Sequence, residues 1–312
     1  MLSIAALLVC SLAGGQGVVN VYSARHYDTD LALYDQFTAE TGIEVNLLEA
    51  SSDQLLARLR SEGAGSPADV YIAVDAARLK RAEDQGVFQP VSSGELAADL
   101  PEELRHPEGL WVALTTRARV IVVSRDRVDE SVELNYEDLA SPAWRDRVLV
   151  RSSSNVYNQS LVASMLATVG AEATEAWCRG LVGNFARKPQ GGDRDQIRAV
   201  AAGEGDAAIV NHYYYMRMLT GSDADREAAG KVRVIFPNQD DRGTHINICG
   251  AGVVSTAPNR ANAIRFLEFL LSADAQESFA SGNQEYPAAN GVAAGAALDS
   301  LGPFKADTVN IA

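Results

Sequence analysis

The sequence predicts an α/β protein of two lobes, in which each lobe is a mixed, mostly parallel sheet flanked by helices. Short apolar runs alternate with amphipathic helical segments, as they do when helices connect neighbouring strands. The length of 312 residues is enough for two hydrophobic cores. No internal repeat or low-complexity linker separates two halves of the chain. We therefore expect chain crossings between two lobes instead of a flexible linker.

The alternation is clearest near the start of the chain. Residues 18–22 are predicted as a strand, and Asp28 offers an N-cap to the helix that follows. The second strand covers residues 43–48. A helix that opens at Asp53 leads to a third strand over residues 69–74.

The later part of the chain repeats the alternation with different residues. Further strands are predicted over residues 118–124, 147–150, 207–210 and 231–236. Further helices are predicted over residues 161–169, 171–181, 196–202 and 261–271. Crossings near residues 115–119 and 236–238 would then divide the chain into a first lobe of residues 18–115 with 238–290 and a second of residues 116–237 with 291–312.

Composition is typical of a soluble globular protein. Hydrophobic residues make up 47% of the chain and charged residues 22%. The formal net charge of −14 opposes binding to nucleic acid or to an anionic membrane surface. An acidic surface suits a cationic ligand but does not by itself predict one.

The first 17 residues resemble a secretory signal peptide. They are nearly all apolar or small, and the apolar run is too short to span a bilayer. Export across one membrane follows, although Cys10 could instead carry a lipid anchor. Removal of this segment leaves Cys178 and Cys249, which could form one disulfide in an exported protein. Two separate buried thiols fit the sequence equally well.

A run of three tyrosines, Tyr213, Tyr214 and Tyr215, marks the candidate site. It directly follows the apolar strand at residues 207–210. Three phenols at the end of a strand are poorly explained as core, because each buried hydroxyl needs a partner. Phenol oxygens suit a hard cation. Taken alone, the run could also line a pocket for a sugar or an amine.

Two further groups hold the same position relative to a strand. His26 and Tyr27 follow the strand at residues 18–22, and Tyr157 follows the strand at residues 147–150. Ligands of open α/β sheets bind beyond the carboxyl ends of strands, so the three groups could converge. Taken singly, Tyr27 is typical of a structural tyrosine, His26 of a surface histidine and Tyr157 of a helix cap.

The donor chemistry favours Fe³⁺. Ferric ion prefers anionic oxygen, and a bound trivalent cation can ionise a phenol whose free pKa is about 10. A zinc site would need cysteines and several histidines, yet the four histidines are scattered at residues 26, 106, 212 and 245. A calcium site would need clustered carboxylates, which the tyrosine positions do not offer.

These segments resemble the signature motifs of periplasmic ferric-iron-binding proteins of bacterial ABC importers. Residues 21–30 are similar to the first signature, 115–120 to the strand near the hinge, 153–158 to the middle tyrosine loop and 211–214 to the paired-tyrosine motif. The resemblance covers essentially the whole mature chain. It implies a hinged, monomeric protein without enzymatic activity, which holds Fe³⁺ between its lobes, with or without a synergistic anion such as carbonate, and delivers it to an ABC permease.

Carried over by position, the resemblance makes Tyr27, Tyr157, Tyr213 and Tyr214 the phenolate ligands. His26 matches a histidine that ligates in only some members of the family. Tyr215 falls outside the ligand set, so it is expected to support the ligands or to pack. His212 stands where other members often carry a small polar residue, which leaves its role open.

Charge balance predicts cationic partners for the site. Three or four buried phenolates cancel or exceed the charge of Fe³⁺, so a nearby cation would stabilise them. Arg117 is the first candidate, followed by Arg217 and Arg25. The alternative for each is a surface charge.

Other functions make weaker predictions. The chain contains no Gly-x-Ser-x-Gly, His-Glu-x-x-His or phosphate-loop motif. A dinucleotide-like stretch at residues 203–208 precedes its strand instead of following one. A binding protein of the same fold could take a sugar, a small anion, a polyamine or ferrous iron. Ferrous iron would depend more on neutral histidines, and only His26 and His212 are placed to help.

Overall fold

Parallel strands and helices alternate at the start of the structure, a computed structural model that describes residues 17–307. Strands β1 (Gly17–Ser23), β2 (Ile43–Glu49) and β3 (Val70–Ala73) pair in the order β2-β1-β3. Helices α1 (Asp28–Thr41) and α2 (Ser52–Glu62) connect them. The predicted strands and helices of this part of the chain are confirmed. The predicted N-cap is wrong: the backbone is still extended at Tyr27, which is the N-cap residue, and Asp28 already lies in the first turn of α1. Residues 1–16, which include Cys10, lie outside the described residues. The signal-peptide and lipid-anchor predictions depend on these residues and therefore stay predictions.

One long strand joins the two parts of the sheet. Strand β4 (Val112–Ser124) is buried along its whole length. Its residues 112–118 pair with β8 (Ile246–Val253), and its residues 119–123 pair with β6 (Ala207–Asn211). β7 (Val232–Ile235) and β9 (Tyr286–Pro287) also pair with β4. The strand therefore changes partners between Ala118 and Arg119.

The sheet is mixed, as predicted, but it lacks the expected parallel majority. Among the named strands of residues 17–307, β1–β2, β1–β3 and β5 (Val148–Leu149) with β6 are parallel, and the other five pairings are antiparallel. Helices between consecutive strands predict parallel neighbours only where those strands pair with each other. β4 instead pairs with strands from much later in the chain.

The remaining α-helices follow α2 along the chain. They are α3 (Ala76–Asp84), α4 (Gly94–Asp99), α5 (Val156–Gly183), α6 (Asp193–Ala202), α7 (His212–Leu219), α8 (Asp223–Gly230), α9 (Arg260–Leu271), α10 (Ala273–Asn283) and α11 (Ala296–Asp299). Helix α5 is kinked at Gly170, where φ is 83°. The two helices predicted on either side of that glycine are the two halves of α5.

Buried apolar side chains form separate cores on the two parts of the sheet. One core surrounds β1, β3 and β8 and includes Phe37 and Phe266. Two others lie against β6 and the second half of β4. Cys249 belongs to the first core and Cys178 packs against the last, and both are free thiols. The lobe boundaries given above stay a prediction.

No helix within residues 17–307 is both long enough and apolar enough to cross a membrane.

Candidate metal centre

A cavity of about 220 Å³ brings the five candidate ligands together. It is lined by His26, Tyr27, Tyr157, Tyr213 and Tyr214, and also by Ala24, Arg25, Ser51, Ser52, Val74, Arg78 and Arg117. Among residues 17–307, no group of three His, Cys, Asp or Glu side chains could hold a metal ion. The cavity instead offers four phenol oxygens, with His26 as an additional donor.

Each tyrosine lies where a strand or loop gives way to a helix. Tyr27 is the residue before α1. Tyr157 lies in the first turn of α5, where its backbone N–H donates to the Oδ1 of Asn155 at 3.0 Å. Tyr213 and Tyr214 lie in the first turn of α7, directly after β6. The predicted exposed turn is thus a helix start, and Tyr213 is buried.

The phenols of the later part of the chain lie close together. The hydroxyl oxygens of Tyr157 and Tyr213 are 3.5 Å apart. The ring centres of Tyr213 and Tyr214 are 4.2 Å apart, with an angle of 32° between their planes. Oxygens at this separation can share one cation as ligands.

Burial makes the phenols of Tyr27, Tyr213 and Tyr214 hard to ionise without a cation. It raises the pKa of Tyr27, of Tyr213 and of Tyr214, and the neighbouring Tyr157 raises the pKa of Tyr213 and Tyr214 further. A cation is therefore needed to form phenolates near neutral pH. Metal binding and proton release would be coupled.

The three candidate arginines surround the phenol rings. The guanidinium carbons of Arg25 and Arg217 lie 4.9 Å and 4.6 Å from the ring centre of Tyr27. That of Arg117 lies 5.8 Å from the ring centre of Tyr157. Arg25 and Arg117 are buried, so a surface-charge role does not fit them.

Sequence reasoning missed a buried carboxylate beside these arginines. Glu285 accepts hydrogen bonds from Arg25 Nη1 at 2.9 Å and from Thr115 Oγ1 at 2.8 Å. Tyr27 Oη donates to its Oε1 at 3.4 Å. Burial favours the neutral acid, yet Arg25 and Arg117 hold the pKa of Glu285 below its ordinary value. No local pattern could reveal Glu285, because 258 positions separate it from Tyr27.

Two neighbours of the paired tyrosines point elsewhere. Tyr215 packs in the core against the second half of β4 and does not line the cavity. His212 is fully buried, accepts from the backbone N–H of Ala118 at 3.1 Å and lies 4.6 Å from the ring centre of Tyr286. Burial lowers the pKa of His212 to about 4. Both residues therefore pack behind the tyrosines.

The fold and the cavity define a class of protein. A two-lobed α/β architecture with a small cavity is that of the binding proteins that carry solutes outside the cytoplasmic membrane. The chain belongs to the family of bacterial extracellular solute-binding proteins, whose profile matches residues 65–306.

Several relatives are similar over nearly their whole length. The chain is 52% identical to Iron uptake protein A1 of Synechocystis sp. over 97% of this chain and 84% of that protein. It matches the structure of Trichodesmium IdiA (FutA) in complex with iron and citrate, with a TM-score of 0.92, 50% identity and coverage of 95% of this chain and 94% of that one. It also matches the ferric binding protein from Campylobacter jejuni, with a TM-score of 0.87, 39% identity and coverage of 94% and 93%.

Proposed function

We propose that this protein captures Fe³⁺ in the cavity through Tyr27, Tyr157, Tyr213 and Tyr214. The observation that carries the proposal is the convergence of four phenols from three distant segments on one small cavity. The relatives named above, which include an iron uptake protein and a ferric binding protein, support it. His26 also lines the cavity and is exposed, so it could add a nitrogen ligand.

Charge balance supports a trivalent ion. Four phenolates around Fe³⁺ leave one net negative charge. Arg25, Arg117 and Arg217, together with the carboxylates Asp30 and Glu285 that pair with them, carry one net positive charge, which compensates it. Fe²⁺ fits less well, because it ionises phenols poorly and His26 is the one histidine among the residues that line the cavity. Ser51, Ser52 and Arg78 could hold a small synergistic anion at the same cavity.

Delivery would follow from the two-lobed fold. The lobes would close on Fe³⁺ about the chain crossings, and the closed form would dock on an ABC permease as a monomer. The protein would act outside the cytoplasmic membrane after export by its N-terminal segment, and it would carry out no catalysis. Reduction to Fe²⁺ or protonation of a phenolate would help release.

A visible spectrum tests the iron site. Iron-free protein mixed with ferric citrate should develop an orange-to-red phenolate-to-iron absorption band. Tyr213→Phe and Tyr214→Phe should each weaken or shift the band, because each removes an anionic oxygen.

Tyr215→Phe is the matched control, since it removes a neighbouring phenol that does not line the cavity, and its band should equal that of the unmodified protein. A colourless mixture without tight iron binding would contradict the proposal.

A further inference from the structure

A buried aspartate outside the cavity joins the segments that carry three of the four tyrosines. Asp193 opens α6, and its side chain is 0% exposed. Its Oδ2 accepts from Arg119 Nη1 at 2.7 Å and from the backbone N–H of Asn211 at 2.8 Å. Its Oδ1 accepts from Arg151 Nη1 at 3.1 Å. Residues of β4, of β6 and of the loop after β5 therefore meet at one carboxylate of α6.

The two arginines lead from Asp193 to Tyr157. The guanidinium carbons of Arg119 and Arg151 lie 6.0 Å and 5.4 Å from the ring centre of Tyr157. Arg119 Nη2 also donates to the Oδ1 of Asn158 at 2.6 Å. The residue that follows Tyr157 is thus tied to the same group.

The third partner leads to the paired tyrosines. Asn211 is the N-cap residue of α7, and an asparagine there ordinarily accepts from a backbone N–H in the first turn. Its side chain makes no such bond. Its Oδ1 instead accepts from Arg119 Nη1 at 3.1 Å, while its backbone N–H donates to Asp193. The start of α7 is therefore held by the arginine and the aspartate instead of by its own cap.

We propose that Asp193 is a positioning residue for iron binding, which holds Tyr157 in register with Tyr213 and Tyr214 through Arg119, Arg151 and Asn211. The inference rests on the proposed function. Asp193 does not line the cavity, so it acts on the cation only through these partners. Groups that orient metal ligands in this way change metal affinity when they are replaced.

Positioning and simple electrostatics predict opposite results for Asp193→Asn. Asp193 raises the pKa of Tyr214 by charge repulsion, so removal of its negative charge would favour that phenolate and tighten iron binding. Asparagine, however, turns an N–H donor towards one of two arginines that are themselves donors. The network would then lose a hydrogen bond. The phenol oxygen of Tyr157 would no longer be held at its position relative to those of Tyr213 and Tyr214.

The test compares Fe³⁺ binding by Asp193→Asn and by Asp206→Asn, with ferric citrate as the iron source. We expect Asp193→Asn to weaken the affinity about 10- to 100-fold and to shift the absorption band. Asp206 directly precedes the first residue of β6, whereas the paired tyrosines follow the last one. It pairs with Arg127 and Arg147 at 2.6 Å each. Asp206→Asn breaks a similar aspartate–arginine group far from the tyrosines, so its band and affinity should be unchanged.

Each outcome decides one question. Unchanged or tighter binding by folded Asp193→Asn, with a normal band, would overturn the positioning role. Equal losses in both variants would also overturn it, since they would show a general effect on the fold. If Asp193→Asn does not fold, Arg151→Gln removes one partner at a half-buried position, and an unshifted band there would count against the proposal. Absence of the band from the unmodified protein would instead refute the proposed function.

Discussion

Buried charges support the candidate centre at the scale of single residues. Glu285 lies between Arg25 and Arg117, with side chains of all three about 1% exposed. The carboxylate neutralises part of the positive charge behind Tyr27 and fixes where the guanidinium groups lie. A charge buried so deeply is tolerated only when its partners are in place.

Glu285→Gln is expected to destabilise the iron-free protein. Arg25 keeps its ion pair with Asp30 at 2.7 Å, but buried Arg117 loses the carboxylate that pairs with it. This loss should lower the free energy of unfolding by about 3–5 kcal/mol. Urea unfolding followed by circular dichroism measures this difference.

Glu227→Gln is the control for this prediction. It removes a carboxylate from an exposed pair with Lys231, where the Glu227 side chain is 70% exposed. That variant should unfold like the unmodified protein, because exposed ion pairs add little to stability. If Glu285→Gln lowered the free energy of unfolding no more than Glu227→Gln does, the proposed stabilising role of Glu285 would be contradicted.

Elements place the tyrosines by ending strands and starting helices at fixed residues. α5 begins at an asparagine cap, and α7 begins directly after β6, so the phenols stand in first turns. α5 also bends at Gly170, whose φ of 83° and ψ of 171° suit only glycine. The bend lets one long segment line the cavity with its first turn and pack Trp177 and Leu181 in the core with its second half.

Gly170→Ala should therefore cost stability. No atom would block the added methyl group, so the expected loss of about 1–3 kcal/mol comes from backbone strain alone. Thermal unfolding of the iron-free protein measures it.

Gly183→Ala, in the same helix, is the matched control for the bend. Its site is also open, and its φ lies outside the left-handed region. It should be neutral or slightly stabilising. Equal stability of the two variants would contradict the prediction, because it would show that alanine at residue 170 causes no backbone strain.

At the scale of the whole molecule, hydrogen bonds to Asp75 connect segments that are far apart in the chain. Ser160, on α5, donates to Asp75 Oδ1 at 2.9 Å, and Asp75 is buried before α3. Asp75 also accepts from Ala77 N at 2.9 Å and from Asn247 Nδ2 at 2.9 Å. In the proposed hinged protein, the hydrogen bond from Ser160 to Asp75 joins the two lobes. It would stabilise the closed form without touching the metal.

Ser160→Ala should hasten the loss of iron. One hydrogen bond to a buried carboxylate is enough to shift an open–closed equilibrium about tenfold. Mixing the iron-loaded protein with excess chelator and following the decay of the absorption band gives the rate.

Ser164→Ala is the control for the hydrogen bond from Ser160 to Asp75. Ser164 lies one turn further along α5 and donates to Asp307 at 3.0 Å instead of to Asp75. Its rate should match that of the unmodified protein. If Ser160→Ala released iron no faster than the unmodified protein, the proposed role of the hydrogen bond to Asp75 would be refuted.

Local patterns were sufficient where neighbours along the chain make the structure. The β1–α1–β2–α2–β3 alternation, the break at Gly170 and the placement of tyrosines after strands all follow from short segments. The candidate ligands His26, Tyr27, Tyr157, Tyr213 and Tyr214 could be named for the same reason, since each stands at a strand end or helix start. Their convergence on one cavity was an inference that the folded chain supports.

The α/β class, the donor chemistry and the segments that carry the tyrosines could be predicted from the sequence, because they depend on residue type and local spacing. The antiparallel centre around β4, the packing of Tyr215 in a core, and the pairing of Glu285 and Asp193 with arginines from distant segments became visible only in the folded chain. Strand partners and buried ion pairs are formed between residues far apart in the chain. Their contacts become defined only when the whole chain packs, so local patterns carry no record of them.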